Sequence, residues 1–263
     1  MNIFIHELKK NCKSIIIWGA VLIGIAMLFM SFYPTLKNDI DNFIEIIDSY
    51  PAALRAAFGL AVLDLAKAEG FYAMVLIYII LFGAIQSANI GVSIASKEER
   101  DRTADFLLTK PVSRIKILTY KLLAAFTVLT ITNIIFNAAI LPFLKVLSTD
   151  INKVILLNLS LYFIQIMFFS ISFIIAMFLK KVKSVLPVSL GIVFVFYAIN
   201  TIIMASGKTK SIFRYLTPFQ YFDSNKIINS GKYDNQFLLI GLIITIACIV
   251  SGYVIYKKKD IRG

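Results

Sequence analysis

The sequence predicts an all-α integral membrane protein with six transmembrane helices, and three observations carry that reading. Of its 263 residues 59% are hydrophobic and only 16% charged, with a mean hydropathy of +0.82, whereas soluble domains carry roughly a quarter charged residues. Six apolar stretches are long enough to cross a hydrocarbon core, which takes roughly 20 helical residues. They are residues 15–33, 71–95, 117–141, 154–179, 184–205 and 237–256, about half the chain. Finally, the 27 Lys and Arg are sorted by the segments between these stretches rather than spread evenly. The whole chain reads as a single membrane domain, 1–263.

Sorting of charge fixes the orientation, because short cytoplasmic loops hold an excess of Lys and Arg. One side receives Lys9, Lys10 and Lys13, seven basic residues between Lys97 and Lys121, Lys180, Lys181 and Lys183, and the tail Lys257, Lys258, Lys259 and Arg262. Seventeen basic and six acidic residues fall there, a net +11, against ten and nine on the other side, a net +1. Both termini are expected in the cytoplasm. The overall +12 is therefore an orientation signal, and no nucleic-acid partner is expected. Five bases in the last outer loop, Lys208, Lys210, Arg214, Lys226 and Lys232, run against the rule.

The N-terminus reads as an amphipathic elbow helix. At 100° per residue Phe4, Ile5, Leu8 and Cys12 share one arc, while His6, Lys9, Lys10 and Lys13 fill the other. Such a helix lies on the inner membrane surface, either as a basic anchor or as an elbow moved by a partner. The first apolar stretch is read as a retained span, since no small-x-small cleavage site follows Phe32. In the first outer loop, Pro51 near a helix start and Gly59 past its end mark one short helix, and Phe43, Ile44, Ile46 and Ile47 mark another.

The loop between the second and third spans is of a different kind. Alternating charge in Lys97-Glu98-Glu99-Arg100-Asp101-Arg102 leads into Thr103-Ala104-Asp105-Phe106-Leu107-Leu108, where Ala104, Leu107 and Leu108 sit at helical spacing until Pro111. Ser113 is placed to cap the third span. A short helix with apolar knobs rimmed by charge suits docking into a groove of another protein; a plain loop whose side chains touch lipid has the same composition.

No span holds an ionisable residue near its centre, unlike ion-coupled carriers; Lys121, near the inner end of the third, is expected to snorkel. The buried polar residues within the spans are amides and hydroxyls, the amides being Gln86, Asn89, Asn133, Asn137, Asn158, Gln165 and Asn200. Gln86, Asn89, Asn133 and Asn137 either line a pathway or tie helices together. Gly83, Ser87, Gly91 and Ala95, four apart, allow a close helix contact, within the chain or between two copies. One His and two widely separated Cys leave no metal or disulfide framework. Ser206-Gly207-Lys208-Thr209 has Ile202 where a phosphate loop needs its first Gly. No catalytic set and no cofactor are expected in this chain.

The run Glu98-Glu99-Arg100-Asp101-Arg102-Thr103-Ala104-Asp105-Phe106-Leu107-Leu108-Thr109-Lys110-Pro111-Val112-Ser113-Arg114, with Lys121 downstream, resembles the inner loop of type-2 ABC transporter permeases, although Arg102 stands where that family has Gly. Tyr50-Pro51-Ala52-Ala53-Leu54 with Phe58-Gly59, and Tyr215-Leu216-Thr217-Pro218-Phe219, extend the resemblance to the outer loops. The resemblance implies a cell-membrane exporter permease that pairs with a second permease copy, as homo- or heterodimer, and with a separate ABC ATPase subunit that uses the ATP. Its coupling helix would lie around residues 103–110, with Glu98, Glu99, Thr103, Phe106, Leu107, Leu108, Pro111 and Arg114 meeting the ATPase, and membrane lipid would surround the spans. Two other readings stay open: a self-sufficient channel or secondary carrier, and an immunity or sensor protein that binds a peptide at its outer loops.

Overall fold

A computed structural model describes residues 3–57, 65–100, 113–147, 149–179, 182–207 and 212–258. Six of its helices are long and apolar enough to cross a membrane: α1 (Ile3–Ser31), α5 (Ala68–Arg100), α6 (Arg114–Val146), α7 (Ile151–Phe178), α8 (Val185–Ala205) and α10 (Asn235–Lys258). Between α1 and α5 lie three short helices, α2 (Tyr33–Asn38), α3 (Ile40–Ser49) and α4 (Ala52–Ala57). Two 3-10 turns, Ile212–Leu216 and Pro218–Gln220, and the short helix α9 (Ser224–Ser230) connect α8 to α10. There are no strands among the described residues.

Most spans differ from their apolar stretches by a few residues at either end, because a helix need not stop where lipid does. The largest difference lies at the N-terminus. The amphipathic segment and the first span form one unbroken helix, α1, with no turn between Ile3 and Ser31. Ser113 caps α6 as its sequence position predicts, its hydroxyl accepting a hydrogen bond from Lys116 N at 3.3 Å. Asp150 caps α7 in the same way through Asn152 N. Pro51 stands just before α4 and α3 spans Phe43 to Ile47, where two short helices are expected; α2 is not among them, and Gly59 lies outside the described residues.

Packing centres on α5 and α7, which lie against each other along their length. The small-residue stripe explains why they approach so closely. A Cβ at Gly91 would sit 2.5 Å from the Phe169 carbonyl oxygen, and one at Gly83 would collide with Leu161. Gly83 and Gly91 thus serve a contact inside the chain, which answers the choice left open between one chain and two copies. Gly252 on α10 makes the same kind of room for the Phe173 ring. Around this pair, α6 packs on α1, and α8 and α10 lie outside.

Outer faces of the bundle are apolar too: Ile16 and Ile17 on α1, Phe194, Val195 and Ile202 on α8, and Leu239, Leu242 and Ile243 on α10 are all exposed. Helices apolar all round belong in lipid.

At the end of the bundle away from Lys97 and Arg114 the last loop folds back over α8. Thr217 is fully buried and donates to the Phe196 carbonyl at 3.1 Å, and Gln220 donates to Asn200 Oδ1 at 2.6 Å. Here two of the five anomalous bases find local partners. Arg214 lies 4.6 Å from the centre of the Phe237 ring and donates to the Gln220 carbonyl, and Lys226 pairs with Asp234 at 2.9 Å. Such local pairing engages both cations within the loop itself. Lys208 and Lys210 fall outside the described residues.

Candidate functional site

Two sets of residues bear on function, one at the inner end and one inside the bundle. At the inner end the charged loop leaves α5 and returns at α6. Glu98 and Glu99 belong to the last turn of α5, and Arg114 is the first residue of α6. Thr103, Phe106, Leu107, Leu108 and Pro111 lie outside the described residues. What the structure adds is the tether beside this loop. Lys97 Nζ lies 2.6 Å from both carboxylate oxygens of Glu7, with the two side chains only 15% and 12% exposed. The first turns of α1 are thereby fastened to the last turn of α5.

Behind that pair lies a cavity of about 160 Å³ whose wall includes Lys10, Asn11, Asn89, Arg100 and Lys121. Lys121 does not snorkel to the surface as expected. It is 3% exposed and turned inward, because α1 and α5 cover the side of α6 that bears it. Asn89 stands on this inner cavity, away from the other amides singled out in the sequence.

Apart from Asn200, which pairs with Gln220, the remaining amides form two hydrogen-bonded chains across α5, α6 and α7. In the first, Gln86 Nε2 donates to Thr132 Oγ1 at 3.2 Å and Gln165 Nε2 donates to Gln86 Oε1 at 3.1 Å. Asn133 Nδ2 then donates to Gln165 Oε1 and to the Leu129 carbonyl. In the second, the Tyr72 hydroxyl donates to Asn158 Oδ1, and Asn158 Nδ2 donates to Asn137 Oδ1 at 2.9 Å. Gln86, Gln165, Thr132 and Tyr72 are fully buried. In a low-dielectric interior an unmatched amide is costly, so residues that satisfy one another hold three helices in a fixed register.

A family model described as ABC-2 family transporter protein matches residues 1–261. The chain belongs to the ABC-2 transporter family. No curated protein matches it. As an ABC-2 permease it is a multi-pass membrane transport component and not itself catalytic.

Three participants in these arrangements escaped the sequence reading. Glu7 is the one acid in a basic N-terminal helix, and its isolation was the available signal. Tyr72 sits at the edge of an apolar run, where its ring masks its hydroxyl. Thr132 neighbours Asn133 but faces α5 instead of α7. Neither of the last two carries a signal that sequence spacing alone would raise.

Proposed function

We propose that this ABC-2 permease is the membrane subunit of an exporter in the cell membrane, driven by a separate ABC ATPase that binds and hydrolyses ATP. It works with a second permease, identical or homologous, and both its termini face the cytoplasm. The observation that carries this reading is the charged loop from Glu98 to Arg114, which joins two of the longest helices of the bundle at the end where basic residues concentrate. Leu107 and Leu108 are its apolar knobs. Docked in a cleft of the ATPase, they pass its motion to α5 and α6 directly, and to α1 through the Glu7–Lys97 pair. Because α5 is locked against α7 at Gly83 and Gly91, a push on the loop moves the centre of the bundle. ATP shifts the permease between states only in so far as those contacts differ between them.

The test is copurification followed by reconstitution. The chain is expected to bring down an ATPase subunit, and Leu107→Asp with Leu108→Asp is expected to abolish ATP-driven flux while leaving the permease folded. Full flux from the isolated chain in ATP-free vesicles would overturn the reading in favour of a channel or secondary carrier. Protection against a peptide that persists when the ATPase is inactive would overturn it in favour of an immunity protein.

A further inference from the structure

The amide chains reach the surface at one place. A groove of about 450 Å³ runs between α6 and α7, with Asn133, Asn137 and Asn158 at its floor and Ile134, Ile155 and Leu159 on its walls. Those three aliphatic side chains are 61%, 43% and 39% exposed. They lie on membrane-spanning helices, so the mouth of the groove faces the bilayer. Asn133 stands 19 residues after Arg114, roughly 28 Å along α6, which places the groove in the half of the membrane away from the charged loop.

The floor has hydrogen-bonding capacity left over. Each carboxamide offers two N–H donors and a carbonyl acceptor. Asn137 Nδ2 makes one bond, to the Asn133 carbonyl, and Asn158 Nδ2 makes one, to Asn137 Oδ1. Asn133 is 7% exposed, and its Oδ1 accepts no hydrogen bond among the described residues. Two N–H groups thus remain at the base of an aliphatic slot, and beneath them lies the Asn133 carbonyl oxygen, covered and without a donor. Among the described residues that line the groove, Tyr162 is the only titratable one. It is committed to Thr130 Oγ1, since Thr130 itself donates to the Phe126 carbonyl.

We propose that this groove is a binding site for an uncharged amphiphile, an aliphatic body carrying a hydroxyl or amide that both donates and accepts, drawn laterally from the bilayer. The aliphatic body fills the slot, and the polar group completes Asn133, Asn137 and Asn158. A charged headgroup finds no counter-charge among the residues that line the groove, and burying it unpaired between aliphatic walls is costly. Ordinary phospholipid tails match the walls but leave the floor unsatisfied. The volume falls within the roughly 300–1,000 Å³ usual for small-molecule sites. The proposal does not depend on the ATPase, so its failure and that of the exporter reading are separate results.

Photolabelling tests it. The full-length protein, with whatever subunits copurify, is reconstituted with a trace of monoacylglycerol bearing a diazirine in its acyl chain. A parallel sample receives phosphatidylcholine carrying the same diazirine chain, which has no hydrogen-bond donor. Monoacylglycerol is expected to label α6 and α7 around Ile134 and Ile155, in competition with unlabelled monoacylglycerol, while phosphatidylcholine labels the outer faces without preference. Leu159→Trp, at an exposed position, fills the slot and is expected to abolish the competed labelling. Asn137→Leu is expected to weaken it about tenfold. Equal groove labelling by both probes assigns the groove to ordinary lipid and overturns the proposal. It is equally overturned by labelling that Leu159→Trp leaves unchanged, or by no groove labelling at all, as when a second copy covers it.

Discussion

Glu7 and Lys97, 90 positions apart, form an ion pair whose ammonium lies 2.6 Å from each carboxylate oxygen, in a setting that leaves both side chains largely covered. Exposed pairs contribute little, but covering one partner and deleting the other strands a charge. Lys97→Met is therefore expected to lower stability by about 1–3 kcal/mol, the range for an unsatisfied buried group. The exchanged pair Glu7→Lys with Lys97→Glu should recover part of that loss. Thermal unfolding in detergent of the wild type, Glu7→Lys, Lys97→Glu and the double variant measures the coupling, and strictly additive effects would show that α1 and α5 are not fastened here.

Gly91 offers a sharper test of packing, because what lies against it is backbone. A methyl group there would press on the Phe169 carbonyl and the Phe173 amide, neither of which can rotate away. Gly91→Ala is expected to cost about 1–3 kcal/mol through forced separation of α5 and α7. Gly24→Ala, where nothing lies within 4 Å of the added carbon, serves as the control and is expected to be neutral or slightly stabilising. Equal unfolding temperatures for the two variants would contradict the close α5–α7 contact.

Much of this architecture was legible because lipid imposes a simple rule: apolar stretches of sufficient length must be helices. Charge sorting and the Ser113 cap belong to the same local level, where neighbours in sequence are neighbours in space. Pairings between distant segments were not legible. Nothing about Gly91 indicates that its partner is Phe169, and nothing about Gln86 distinguishes a tie to Gln165 from a place on a pathway. Lys121 shows the limit most plainly. Its position near a span end predicts snorkelling, yet the covering helices α1 and α5 decide its burial, and that is a tertiary property. The candidate coupling residues were legible only as a pattern, from Glu98 to Arg114.

If the amide chains hold register, their members must be energetically coupled. Tyr72→Phe leaves Asn158 Oδ1 without its donor while preserving shape. Hydrogen bonds between membrane helices average roughly 0.6 kcal/mol in double-mutant cycles and reach about 1.7. A cycle of Gln86→Leu and Gln165→Leu is expected near the upper end, because each single variant strands a fully buried carboxamide. Unfolding in mixed micelles gives the four free energies. A coupling indistinguishable from zero would favour the view that these amides line a pathway and hydrate independently.

The outer end should respond to acid through Asp234. Its carboxyl is held below its ordinary value of 3.8, chiefly by the hydrogen bond from Lys226 and also by that ion's charge and the Gln236 amide. A carboxyl depressed in the folded state stabilises the ionised form, so its contribution is complete above 3.8 and fades as pH falls through the lower folded value. Asp234 is partly exposed and Lys226 more so, so solvent screens the interaction and keeps it small. The readout is consequently local: hydrogen exchange at the start of α10, where Gln236 N donates to Asp234 Oδ1. Protection there is expected to be constant near neutral pH and to fall in acid. Lys226→Gln should move that fall to higher pH, toward 3.8, and Asp234→Asn should remove it. An acid profile identical in the wild type and Lys226→Gln would show that the Lys226–Asp234 pair does not hold this corner of the loop.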